Sequence, residues 1–400
     1  MMKYSLLSIF MACCHFLYAQ KTLLYSDWVY EPQIKTVQLL PDLSIEFDDL
    51  QDNRNNYYAK LIHCNYDWTK SSLQDLDFLE VYNEFTLNEY ENSSSLYSSY
   101  VHYRFQIPQV KLPGNYLLII YRDGNKSDLI LSKRFFVADN QTTLQKDNTF
   151  SGSGRLNTSN QQLNFVLRYG NLDILNPMES VHVVIRQNQR WDNARINVKP
   201  SFVREDASEL EYRFFDEDKH FNAGNEFRFV DFRSLNFPGV NTDKFDRTIK
   251  PYQLTVQLDK SRGGGAYALY NDQNGNYRIE NLDNPEPAIS GSYVKTTFSL
   301  LSKPINGEVY IIGAFNNWVR DEENKMTYNS GKGVYESTLL LKQGFYNYAY
   351  TVENSSLSPD YFEGSHFETE NVYEVFMYYR PNRPNADLLV GYFILPVNPH

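Results

Sequence analysis

Apolar and polar residues alternate at period two along most of the chain. Val101, Tyr103, Phe105 and Ile107 fall on one face of an extended segment, with His102, Arg104 and Gln106 on the other. The same alternation recurs at Leu163, Phe165, Leu167 and Tyr169, at Leu210, Tyr212 and Phe214, and at Leu254, Val256 and Leu258. Asp123-Gly124 separates the apolar segments Asn115–Arg122 and Ser127–Ala138, and Asn274-Gly275 separates Ala266–Asp272 from Asn276–Asn281. Both dipeptides suit the left-handed backbone of a tight hairpin turn. Helical spacing stands out at Leu73, Leu76, Leu79 and Tyr82, after Ser72 as a candidate cap, and fits either a helix or one helical turn within a loop. The pattern predicts an all-β protein built from sandwiches.

Two stretches break this alternation. Asp139 to Asn160 contains Ser151-Gly152-Ser153-Gly154 among Asn, Gln and Thr, and 281–291 contains Pro285, Pro287 and Gly291. Taken as linkers, they predict three tandem immunoglobulin-like or early-set domains at 20–140, 141–285 and 286–400. Residues 1–19 read differently. Lys3 precedes an apolar run through Leu6, Ile9, Phe10 and Leu17, and Ala19 offers a cleavage site. This is a secretory signal pattern, so the mature chain is expected to start near Gln20. The run continues past Cys13 and Cys14, which predicts cleavage without lipid attachment.

That export expectation gives the cysteine count its meaning. Cys13 and Cys14 leave with the signal and Cys64 stays behind without a partner, so the domains must be held by burial rather than disulfides. No later stretch is long and apolar enough to span a membrane as a helix. The expected address is the periplasm of a Gram-negative cell. Aromatic residues make up 16% of the chain, with 32 tyrosines and 26 phenylalanines, which suits half-buried strands. The net charge of −11 argues against nucleic acid held through its phosphates.

Few residues offer chemistry. His63, Cys64 and Asp67 lie close in sequence, but neighbours on a strand point to opposite faces, and no second Cys or His pair stands at ligand spacing. A buried thiol beside a surface histidine is the expectation there. Asp272, Asn274 and Asn276 lack the later glycine and acid of a calcium loop, and Gly263-Gly264-Gly265 has no lysine after it for phosphate. No nucleophile elbow or zinc-protease helix appears. The acids are expected on solvated strand faces, and neither enzymatic activity nor a cofactor or metal is expected.

Two segments carry more. The strand Val309–Ile312 runs into Gly313-Ala314-Phe315-Asn316-Asn317-Trp318, followed by Gly333-Val334-Tyr335-Glu336 and Gly344-Phe345-Tyr346-Asn347-Tyr348. This order resembles the early-set sandwich of glycogen-binding-type carbohydrate modules. The resemblance implies a glycan or partner contact at Trp318, Asn316 and Asn317. Val352-Glu353-Asn354-Ser355 departs from that family, which places an Asp-Gly turn there, and Trp318 is expected to pack beneath its turn rather than stack on sugar.

The other segment is amino-terminal. Asn65-Tyr66-Asp67-Trp68-Thr69-Lys70-Ser71, then Tyr100 to Pro108, Lys111-Leu112-Pro113-Gly114, the Tyr121-Arg122-Asp123-Gly124 turn and Lys133-Arg134-Phe135-Phe136-Val137 follow one another. This order resembles the first domain of the type IX secretion system plug protein. The resemblance implies a periplasmic protein on the inner side of the outer membrane, partner of a very large translocon barrel whose pore it occludes when no cargo is present. The alternative is a cell-envelope glycan-binding protein acting through its carboxy-terminal region.

Overall fold

The computed structural model describes residues 25–399 apart from 52, 96, 148–158, 171, 215–219 and 355. The expected signal at 1–19, Cys13 and Cys14 lie outside the described residues, as does Ser151-Gly152-Ser153-Gly154. The architecture is all-β. Helices among the described residues are short: Asp75–Phe78, Pro177–Ser180, Pro287–Ser290 and a 3-10 turn at Ala314–Asn316. The first lies within the segment expected to be helical and ends at Leu79, whose extended backbone stops it.

The strands gather around three apolar cores. In the first domain a five-stranded sheet, in the order Trp28–Val29, Leu129–Val137, Gly114–Arg122, Tyr57–Cys64 and Phe85–Thr86, faces a four-stranded one. The latter runs Ile34–Leu39, Ser44–Asp49, Val101–Gln106 and Glu89–Asn92. Alternate residues from both sheets meet in between, among them Ile45, Phe47, Tyr57, Leu61, Tyr103 and Ile120. Asp123 and Gly124 both take positive φ (51° and 72°), so the predicted tight turn forms, within a six-residue connection between the strands.

The second core lies between two four-stranded sheets. One contains Thr143–Asp147, Asn164–Arg168, Glu209–Tyr212 and Phe202–Arg204. The other contains Arg195–Val198, Val181–Gln187, Asn371–Tyr379 and Leu388–Val397, with Ile185 opposite Val375. The third core, which includes Phe298, Ile311, Tyr346 and Tyr348, is wrapped by one ten-stranded sheet. Gly344–Glu353, Val334–Lys342 and Tyr293–Leu301 are its long members, and Glu308–Ile312 pairs with the first of them.

These partnerships correct the expected boundary at 285/286. Gln253–Val256 pairs in parallel with Tyr293–Leu301, Leu254 lying opposite Thr296, so the third sheet reaches back across it. The last two strands, Asn371–Tyr379 and Leu388–Val397, return to the second core. The third unit is therefore inserted into the second. Pro285, Pro287 and Gly291 belong to a helical turn leading into a strand of the same sheet, and punctuation residues mark such a turn as readily as a linker.

Two further expectations change. Asn274 and Gly275 adopt the turn conformation (φ 51° and 82°), but Ala266–Asp272 is not a strand, and Tyr277–Ile279 pairs with Gly344–Glu353 instead. His63 is not on the surface. It is 2% exposed, with its ring 5.0 Å from Tyr116, while Cys64 is buried on the opposite face beside Trp68 and Leu117. Both faces of this sheet are covered, one by the first core and the other by the second unit, and only Arg122 of Gly114–Arg122 escapes full burial.

Candidate functional site

The Gly313–Trp318 turn is built by its own side chains. Asn316 Oδ1 accepts from the Gly313 amide at 3.0 Å, and its Nδ2 donates to the Ile311 carbonyl at 3.0 Å. Gly313 admits no side chain, since a Cβ would lie 2.5 Å from the Phe315 ring and 2.7 Å from the Asn347 carbonyl oxygen. Asn317 and Trp318 then turn left-handed, at φ 51° and 62°. This folds the Trp318 ring back onto Gly275, where a Cβ would come within 2.3 Å of it, and onto Phe227 at 5.5 Å between ring centroids. The Arg190 guanidinium lies 4.2 Å from the indole centroid, leaving Trp318 7% exposed. Asn317 Oδ1 accepts from Lys133 of the first domain at 2.9 Å. Asn316 thus staples the turn, Trp318 faces protein, and Asn317 reaches a neighbouring unit.

Arg190 comes from the second unit, on the connection between Val181–Gln187 and Arg195–Val198, and its neighbour Trp191 faces the other way. Trp191 meets Trp68 of the first domain edge-on, with centroids 4.9 Å apart at 85°. Arg134 lies 5.3 Å from the Trp68 ring and 5.2 Å from Trp191, and its guanidinium binds Asp27 at 2.9 Å. Burial alone would raise the Asp27 carboxyl, but Lys133 and Arg134 outweigh it and hold it at about 2. Arg186 stands 4.4 Å from Trp191 on its way to a two-pronged pair with Glu374 at 2.6 and 2.8 Å. Tyr66 stacks on His182 at 3.9 Å, and the Tyr378 hydroxyl donates to Asn115 at 2.8 Å. This seam joins the first domain to the second unit.

A second seam joins the first domain to the third. Lys342 Nζ contacts Asp48 at 2.6 Å, each side chain 1% exposed. Asp48 also accepts from the Tyr293 hydroxyl at 2.6 Å and sits 2.8 Å from His102 Nδ1. Thr36 meets the Tyr293 hydroxyl at 2.7 Å, and Tyr100 donates to the Gly291 carbonyl at 2.9 Å. Burial depresses the Lys342 ammonium, with Asp48 opposing that shift. Sequence reasoning assigned acids to solvated faces, whereas Asp48, Glu363, Glu374 and Asp387 are all buried and paired with cations. A local signal existed at one of them: Lys342 ends the apolar run Leu339-Leu340-Leu341.

Beside this seam opens a cleft of about 820 Å³. One wall is the first domain from Asp27 to Val37; the other comprises Phe315–Asn317, Val319, Asp321–Asn324 and Thr338–Lys342 of the third unit. Among the described residues no group of His, Cys, Asp and Glu side chains could hold a metal ion, and no helix is long and apolar enough to cross a membrane.

Comparison with known proteins agrees with this picture. Residues 21–139 match the family described as the type 9 secretion system plug protein first domain, so the first domain is of the plug-protein type. The crystal structure of a hypothetical protein from Parabacteroides merdae ATCC 43184 is similar over 93% of this chain and 99% of its own, with 28% identity and a TM-score of 0.86. No curated protein matches the chain.

Proposed function

We propose that this protein is a periplasmic plug that occludes the outer-membrane translocon barrel of the type IX secretion system when no cargo is present. The observation that carries the reading is the plug-type first domain at 21–139. A seal for a wide pore must keep its shape under load and be removable. Two seams, one aromatic and one centred on a buried ion pair, give the first domain rigid neighbours without disulfides. The three cores act as three immunoglobulin-like or early-set domains, the middle one divided around the third. Sealing requires large complementary contact and no chemistry, so no catalytic group is assigned. Trp318 serves as a seam residue, since Arg190, Gly275 and Phe227 occupy the surroundings that sugar stacking would need.

A deletion strain tests this. Uptake of a large antibiotic normally excluded by the outer membrane should rise while export of type IX cargo largely continues. Normal permeability with the translocon present would defeat the plug reading. Retained affinity for soluble α-glucan that Trp318→Ala abolishes, without change in the thermal midpoint, would favour the glycan alternative.

A further inference from the structure

We infer that the cleft between the first domain and the third unit is the docking groove for an extended polypeptide segment of the partner, one carrying apolar side chains flanked by lysine or arginine. The inference rests on the plug reading and deepens it by naming the surface and the chemistry it selects.

Three observations converge on this occupant. The first is the backbone at the wall. Trp28–Val29 is the edge of the five-stranded sheet and Ile34–Leu39 the edge of the four-stranded one; each pairs on a single side, with Leu129–Val137 and Ser44–Asp49 respectively. Two strand edges therefore line one cleft, an arrangement that favours an extended chain over a compact ligand.

The second is the lining. Val29, Val37, Phe315, Val319 and Leu340 are partly exposed and apolar, which favours apolar side chains over a sugar. The third is charge. Glu31, Asp321, Glu322 and Glu323 stand on the lining, and the Glu322 side chain is 91% exposed. The cations among the lining residues are already engaged, Lys35 by Glu323 at 2.9 Å and Lys342 by Asp48. A basic flank complements such a rim. A second copy of this chain, at −11, does not.

The test titrates the purified translocon barrel, in mild detergent, with the full-length protein and three variants. Glu322→Lys/Glu323→Lys reverses the rim, and Thr338→Arg sets a cation on an exposed position of the wall. Glu89→Lys/Glu91→Lys makes the same change in net charge at the opposite edge of the four-stranded sheet. The rim reversal should weaken binding roughly tenfold at low salt and remove most of its salt dependence. Thr338→Arg should weaken it as well, and the distant control should stay within about twofold of wild type. Thermal midpoints confirm that the variants fold. Wild-type-like binding by both cleft variants overturns the groove and leaves the plug standing. Absence of binding by the wild-type protein overturns the plug reading, and the groove falls with it.

Discussion

The first domain meets its two neighbours by opposite means. Against the second unit it uses rings and guanidinium groups: Trp68 edge-on to Trp191, Arg134 between them, and Arg186 beyond. Against the third it uses one buried ion pair, Asp48 with Lys342, ringed by Tyr293, His102 and Tyr100. The aromatic seam tolerates imprecision, because dispersion and cation–π attraction fall off gradually with geometry. The ionic seam does not, since two desolvated charges are stable only while each has the other. A cleft opens beside the ionic seam, so the contact that demands exact partners also fixes the spacing of the cleft walls.

The largest expected effect separates a lost partner from a lost charge pair. Lys342→Met leaves Asp48 buried with Tyr293 and His102 but no cation, and should cost about 3–5 kcal/mol in chemical denaturation. Adding Asp48→Asn should recover much of that, because the amide still meets the hydroxyl and no charge is stranded. Equal loss in the single and double variants would show that Lys342 acts by packing its stem. On the other seam, Trp68→Ala should cost about 3–5 kcal/mol, the usual range for a buried tryptophan.

Which parts of this were legible in the sequence follows from how far apart the partners lie. The period-two alternation at Val101–Ile107 and the turn at Asp123-Gly124 are local signals, and both appear as expected. The turn at Gly313–Trp318 is local too, so its shape was readable while its surroundings were not. Arg190 reaches Trp318 from far along the chain, with no spacing or motif to announce it. The same limit explains His63. Its face of the strand, shared with Ala59 and Leu61, packs on Phe78 and Tyr116 in the first core, and it is the opposite, Cys64 face that the second unit covers. The inserted third unit is the extreme case, because a strand's partner is chosen by the whole sheet, and proline and glycine at 285–291 look alike in a linker and in a turn.

Acidity should distinguish the units as well. Burial depresses His63 from the ordinary 6.5 to about 4, outweighing the upward pulls of the Pro113 backbone and the Asp387 carboxylate. The unfolded chain therefore takes up this proton first as pH falls, and stability drops between about 6.5 and 4, by about 3 kcal/mol in full. Half-buried Asp272 in the third unit behaves oppositely. Desolvation, with Glu226 and Glu370 nearby, raises it to about 6, so the folded state keeps this proton longer. Its contribution is present below about 4 and lost as pH rises through 6. Denaturation midpoints at pH 7 and pH 5 should fall less on acidification in His63→Gln than in wild type, and more in Asp272→Asn. A shift of the same sign in both variants would show that the units do not differ in this way.

The smallest effect expected is at the other cation–carboxylate pair across the ionic seam. Lys35 and Glu323 join the same two units at 2.9 Å, but their side chains are 20% and 63% exposed. Water already solvates both groups in the unfolded chain and continues to solvate them in the folded one, so little is gained by their approach. Lys35→Ala should cost no more than about 1 kcal/mol, falling toward zero in high salt. A double-mutant cycle with Glu323→Ala isolates the pair from any packing of the lysine stem. The outcome bears directly on the cleft, because Glu323 stands on its rim. A coupling under 1 kcal/mol means that the rim charges are free to serve a partner and that reversing them leaves the walls in place. A coupling near that of a buried pair would make Glu323 part of the seam, and weakened docking by the rim variant would then report a displaced wall instead of a lost contact.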